Sequence, residues 1–182
     1  MSECLEEVVE MAVNNGFLMK NFGNEPTFSM LIFVDLAAIH RAAGRDLLQA
    51  CYGVPEARPG VRCPTGKARI TLGFKLPASH VIHIVGPVYR PGSVYPPANN
   101  PEVYLSSAYR NSLSIAKAHN IQYVAFPPIS CGSYGYPYDE AAEVSLSTIK
   151  ESVNDIKEVH FVHKSEVIYN VWLEKAKKLL KA

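Results

Sequence analysis

The chain has 182 residues, of which 48% are hydrophobic and 19% charged, with a formal net charge of +1. That length suits one domain, spanning 1–182, with a sizeable buried core. No run approaches the roughly 18 consecutive apolar residues of a membrane span. The scattered, nearly balanced charge lacks the basic footprint with which nucleic-acid binders neutralise phosphates.

The opening stretch MSECLEEVVEMAVNNG is acidic where a secretory or organellar signal is basic, so the chain is expected to be cytoplasmic or nuclear. Leu5, Val8, Val9 and Ala12 recur at helical spacing and predict a helix over 3–14. Phe28 to Val34, FSMLIFV, is an apolar run of strand length. A helix is expected over 36–51 on the stripe Ile39, Ala43, Leu47 and Ala50, with Gly44 tolerated inside it at a cost of about 1 kcal/mol relative to Ala.

Short strands are expected at 68–72 and from His80, where HVIHIVGP ends in Gly-Pro. The proline-rich stretch 90–101 reads as a loop. Helix 103–119, a strand within IQYVAFPPI, helix 139–153, the strand EVHFVH and a helix over 165–181 complete the chain, with Ser165 and Glu166 suited to the last helix's first turn. Strands alternating with helices point to parallel strands, right-handed crossovers and helices on both faces. Such sheets bind ligands at the carboxyl ends of their strands.

One such end carries ISCGSYGYP, residues 129–137. Gly132 and Gly135 let the backbone approach a ligand, Ser130 and Ser133 add hydroxyls, and the next helix begins with unpaired amides. The stretch is suited to cradle a diphosphate or another anion, and it fits a ligand-free strand-to-helix turn equally well. Cys131 invites a reading as a thiol nucleophile with His83 as base, but a cysteine among apolar neighbours is more often a small packing residue. His83 and His40 read as structural histidines, and Arg62, Arg69 and Arg90 as solvated cations. The widely spaced Cys4, Cys51, Cys63 and Cys131 suggest neither a zinc site nor a disulfide framework.

The segments AIHRAAG (38–44), CPTGKARITLGFKLP (63–77), VIHIVGP (81–87), YRNSLSIAKAHNI (109–121) and VAFPPISCGSYGYP (124–137) run in the order found in the macro domain family, which the chain resembles from about residue 38 onward. The likeness is to the branch that removes acyl or ADP-ribosyl groups from ADP-ribose esters. It implies an α/β fold, a three-layer α/β/α sandwich around a mixed, mostly parallel sheet. It implies that Ser130, Cys131, Gly132, Ser133, Tyr134 and Gly135 form the family's second ligand loop, whose amides grip the diphosphate while Tyr134 lies against the distal ribose. ADP-ribose or ADP-ribosylated proteins are the implied partners, and no metal or cofactor is implied.

The resemblance breaks before Ala38. Relatives carry an asparagine-rich turn and a glycine-rich first ligand loop there, whereas this chain reads FSMLIFVDLAAIH, with no glycine between Gly23 and Gly44. Asp35 is the nearest counterpart of the family's water-poising aspartate. It stands one residue early, about 100° around a helix. The change at this point fits a divergent domain or a misplaced exon boundary. Hydrolysis of ADP-ribose esters is the expected function, and a non-catalytic nucleotide-binding module, or a degenerate macro domain with a defective first loop, is the alternative.

Overall fold

The computed structural model describes residues 36–89, 98–153, 156–163 and 165–180. The expected helix over 3–14, the expected strand over 28–34, Asp35 and Arg90 lie outside them. Five helices and four strands are described: α1 (Leu36–Ala43), α2 (Arg45–Gly53), β1 (Ala68–Leu72), β2 (His80–Ile84), α3 (Pro101–Ala118), β3 (Tyr123–Phe126), α4 (Tyr138–Ser152), β4 (Glu158–Phe161) and α5 (Glu166–Leu180). No helix among the described residues is long and apolar enough to cross a membrane.

The expected single helix over 36–51 is two helices. Gly44 takes φ 84° and ψ −178°, left-handed in φ and open to glycine alone at low cost. Its amide still donates to the His40 carbonyl at 3.1 Å, closing α1, while the Ala43 carbonyl accepts from the Lys75 amide at 3.3 Å. The apolar stripe survives the break, since Ile39, Ala43 and Leu47 are all buried in one cluster with Leu76, Ala78 and Val81.

β1 and β2 pair antiparallel, Ala68 opposite Ile84 through Leu72 opposite His80. The connection over 73–79 is too short for a parallel crossover, so this pair is antiparallel, as a mixed arrangement allows; the alternation of strands with helices begins at His80. Gly73 closes the turn by donating to the Ser79 carbonyl at 2.8 Å. β3 and β4 are parallel, Tyr123 opposite Glu158 through Phe126 opposite Phe161, and α4 makes the crossover. The described strands thus form two two-stranded sheets, one antiparallel and one parallel.

Successive residues of a strand face opposite sides. Val81 of β2 packs with α1 and α2, whereas its neighbour Ile82 joins the larger cluster of α3, α4, α5, β3 and β4. Helices thus cover both faces. In α3 the buried residues Leu105, Ala108, Tyr109, Ser112, Leu113 and Ala116 mark one face at spacings of three and four. Burying a leucine, isoleucine or phenylalanine side chain contributes about 1.5–3 kcal/mol, so this face secures the helix. Tyr109 stacks obliquely on Phe126, ring centroids 5.0 Å apart, beneath the carboxyl end of β3. Ser165 caps α5 as its position suggested, its hydroxyl accepting from the Ile168 amide at 3.3 Å.

Candidate functional site

β3 and β4 end on the same edge because they are parallel, and the Val162 amide donates to the Phe126 carbonyl at 2.8 Å there. The chain leaving β3 turns at once. Its base rests on a buried phenol: Tyr109 Oη donates to the Pro127 carbonyl at 3.5 Å and accepts from the Ile129 amide at 3.4 Å. Burial raises the Tyr109 pKa above the ordinary phenol value, with Cys131 adding to it, so the hydroxyl keeps its proton.

Residues 129–137 fold against this base. Ser130 (φ 64°) and Gly135 (φ 68°) both adopt left-handed backbone. The Gly135 amide donates to the Gly132 carbonyl at 3.0 Å and the Tyr136 amide to the Ser130 carbonyl at 3.0 Å, which closes the loop on itself. Ile129, Cys131 and Tyr136 are its buried anchors, and Gly132 and Ser133 are its exposed crest. Past the end of β2, the Tyr89 amide donates to the Tyr134 carbonyl at 2.9 Å, and the Tyr89 ring packs on Tyr136 with centroids 4.6 Å apart. The carboxyl ends of β2, β3 and β4 thus meet at one edge.

The amides of Ser130, Gly132 and Ser133 have no acceptor among the described residues. Ser130 Oγ is buried without a hydrogen-bond partner among them. The N-cap of α4 is Pro137, which has no side chain to cap the helix, and no side-chain cap is present. Unpaired amides beside a helix N-terminus attract anions, and a buried unpaired hydroxyl costs about 1–3 kcal/mol unless something bonds it. Gly132 needs no left-handed conformation, and a Cβ added to it meets nothing within 4 Å. Its lack of a side chain therefore keeps the crest open and does not serve the fold.

The structure brings Ser130, Cys131, Gly132, Ser133, Tyr134 and Gly135 together in this one loop. Cys131 points inward, its Sγ 3.5 Å from the Ile129 carbonyl, and burial pushes the thiol pKa up to about 12. It packs; it does not ionise near neutral pH. His83 is not beside it. Its Nε2 lies 2.9 Å from Thr71 Oγ1 in the hairpin and 3.9 Å from Cys51 Sγ in α2. Arg62 is held by the Val54 carbonyl at 2.8 Å and by Glu56 at 3.3 Å, and Arg69 by the Ala68 carbonyl at 2.8 Å. Neither has its bonds in the loop.

Two residues that sequence patterns missed hold the loop in place. Tyr109 reads only as one more apolar residue on a helix face. Gly86 follows β2, and a Cβ there would collide with Ser130 Oγ and sit 2.6 Å from Ile129 Cγ2. The Gly-Pro that closes HVIHIVGP was its only signal.

Past β4, His163 stacks on Phe161 with planes 7° apart and packs on Trp172, centroids 5.1 Å apart. Burial lowers its pKa to about 4, and burial followed by His40 does the same to His83. In the unfolded chain both titrate near 6.5. Their contribution to stability is complete above about pH 6.5 and is lost as the pH falls toward about 4, because the unfolded state takes up the protons first. Urea denaturation should show a loss of about 2 kcal/mol per histidine by pH 5. In His163→Phe the pH dependence should be shallower, and an equal slope in both proteins would remove His163 from this account.

The Macro domain family profile matches residues 34–145. A macro domain-containing protein of Xanthomonas campestris is 51% identical over 114 residues, 63% of this chain and 61% of that protein. A protein of Escherichia fergusonii named O-acetyl-ADP-ribose deacetylase is 47% identical over 116 residues, 64% of this chain and 62% of that protein. The chain thus spans about three fifths of the length of these curated relatives. Among solved structures, a mutant Oceanobacillus iheyensis macrodomain with ADPR has TM-score 0.73 and 35% identity, covering 86% or more of both chains: 87% of this one and 89% of that one. The profile takes in α1, α2, the hairpin, β3 and the whole loop that follows it, and the structural likeness covers 87% of the chain; the chain belongs to the macro domain family.

Proposed function

We propose that the chain binds ADP-ribose with its diphosphate on the loop 129–137 and hydrolyses ADP-ribose esters, either O-acyl-ADP-ribose or mono-ADP-ribosyl groups on proteins. The observation that carries this reading is the crest at Gly132 and Ser133, whose amides have no acceptor among the described residues and which stands next to the uncapped start of α4. The fold neighbour with ADPR and the relative named O-acetyl-ADP-ribose deacetylase support it. Tyr134, half-buried beside the crest, is the aromatic residue this reading sets against the distal ribose.

In the hydrolysis, water adds to the ester carbon, the bond from that carbon to the ribose oxygen breaks, and the acid and ADP-ribose leave. Within the loop, the protonated thiol of Cys131 supplies no nucleophile. The protein contributes by holding the diphosphate and fixing the ester relative to water, which removes the entropy of bringing them together. Asp35 is the residue assigned to orient that water.

The loss of a nucleophile and base from the loop also favours a second reading, a module that binds ADP-ribose without turnover. Release of ADP-ribose from O-acetyl-ADP-ribose separates the two. The hydrolase reading expects turnover by the wild type and a fall of about 100-fold or more in Asp35→Ala with binding little changed. Binding without turnover in the wild type would select the second reading.

A further inference from the structure

At the opposite edge of the sheet from the loop, the first residue of β2, His80, meets His119, the C-cap of α3. Their ring centroids are 5.9 Å apart and the planes are tilted by 52°. We propose that His80 and His119 form a two-histidine site for a divalent cation that prefers imidazole, of the zinc, copper(II) or nickel(II) class, clipping the start of β2 to the end of α3.

Imidazole nitrogens sit about 2.0–2.1 Å from zinc, which places each ring centroid about 3.2 Å from the ion and two centroids about 5 Å apart at a tetrahedral angle. The observed 5.9 Å therefore closes onto an ion with a shift of about 1 Å, within reach of a χ rotation of the exposed His119. Ser79 Oγ lies 2.9 Å from His80 Nδ1. With the proton on Nδ1 donated to that hydroxyl, Nε2 presents its lone pair, the arrangement in which an outer partner fixes a ligating histidine.

His119 stands at the carboxyl end of an 18-residue helix, where the macrodipole favours positive charge. Among the described residues no group of three His, Cys, Asp or Glu side chains is placed to hold an ion. The site thus supplies two protein ligands, and water or a donor from another molecule takes the remaining positions.

The test is titration of ZnCl2 into the full chain, followed by calorimetry and thermal melting. One ion per chain and a rise in Tm are expected, since a ligand that binds only the folded state stabilises it. His80→Gln and His119→Ala should each abolish the rise, and Ser79→Ala should weaken zinc binding by about tenfold. With CuCl2 as probe, electron paramagnetic resonance should show coupling to two imidazole nitrogens in the wild type and to one in His119→Ala. Circular dichroism confirms that each variant is folded. The proposal is overturned if the double variant keeps the zinc-dependent rise, or if millimolar ZnCl2 gives neither heat nor shift in the wild type.

Discussion

Gly86→Ala is expected to weaken ADP-ribose binding by tenfold or more while lowering stability by about 1–3 kcal/mol. The added methyl would overlap Ser130 Oγ and stand 2.6 Å from Ile129 Cγ2. Ser130 has a rotamer to turn into, but Ile129 is only 6% exposed and belongs to the main core. The backbone of the loop must therefore move away from β2. The Tyr89–Tyr134 hydrogen bond at 2.9 Å and the Tyr109 contacts at Pro127 and Ile129 oppose that movement, so the strain falls on the amides at the crest. Calorimetry with ADP-ribose reads the affinity, and urea denaturation reads the stability. A fully folded variant with wild-type affinity would mean that the loop's position relative to β2 does not matter for the ligand.

Gly73→Ala is expected to cost more, about 3–5 kcal/mol, and to leave much of the protein unfolded. Here the neighbours are backbone. A Cβ on Gly73 would overlap the Ala78 carbonyl oxygen and lie 2.9 Å from its carbon and 3.3 Å from that of Ser79. No side chain can rotate to relieve this. Opening the turn breaks the Gly73–Ser79 hydrogen bond of 2.8 Å and slips the β1–β2 register, which would turn Val81 and Ile82 away from the two cores they fill. Gly53→Ala, at the end of α2 where an added Cβ meets nothing within 4 Å, is the control and should be neutral or slightly stabilising. The two melts, compared side by side, isolate the collision from any general cost of replacing glycine.

These two glycines mark where sequence patterns stop being informative. Periodicity placed β1 at 68–72 and the helix after the loop at 139–153, against Ala68–Leu72 and Tyr138–Ser152 in the structure. It succeeded because apolar spacing reports which face is buried. It missed the break at Gly44 because the stripe of Ile39, Ala43 and Leu47 continues across the left-handed residue. Alternation of strands and helices from His80 onward suggested parallel pairing, which β3 and β4 show, while the short connection over 73–79 forces β1 and β2 antiparallel.

The loop's place between a strand and a helix was legible, but serine and glycine there fit a ligand-free turn as well as an anion cradle. Its supports were not legible, because the Tyr109 hydroxyl and the bare Cα of Gly86 act across 20 and 43 residues of sequence, respectively, on Ile129. Cys131 shows the converse. Residue type left a nucleophile open beside the preferred packing role, and its burial, which raises the thiol to about 12, agrees with packing.

The central claim is that the open crest at Gly132 holds the diphosphate of ADP-ribose. Replacing Gly132 by valine tests it most directly, because no atom of the described residues lies within 4 Å of the added Cβ, so none of them has reason to move. Isothermal titration of ADP-ribose into wild type and Gly132→Val should give a saturable heat in the first and a loss of affinity of tenfold or more in the second, with equal Tm. Equal affinity in the two proteins, or no binding heat in the wild type, would contradict it.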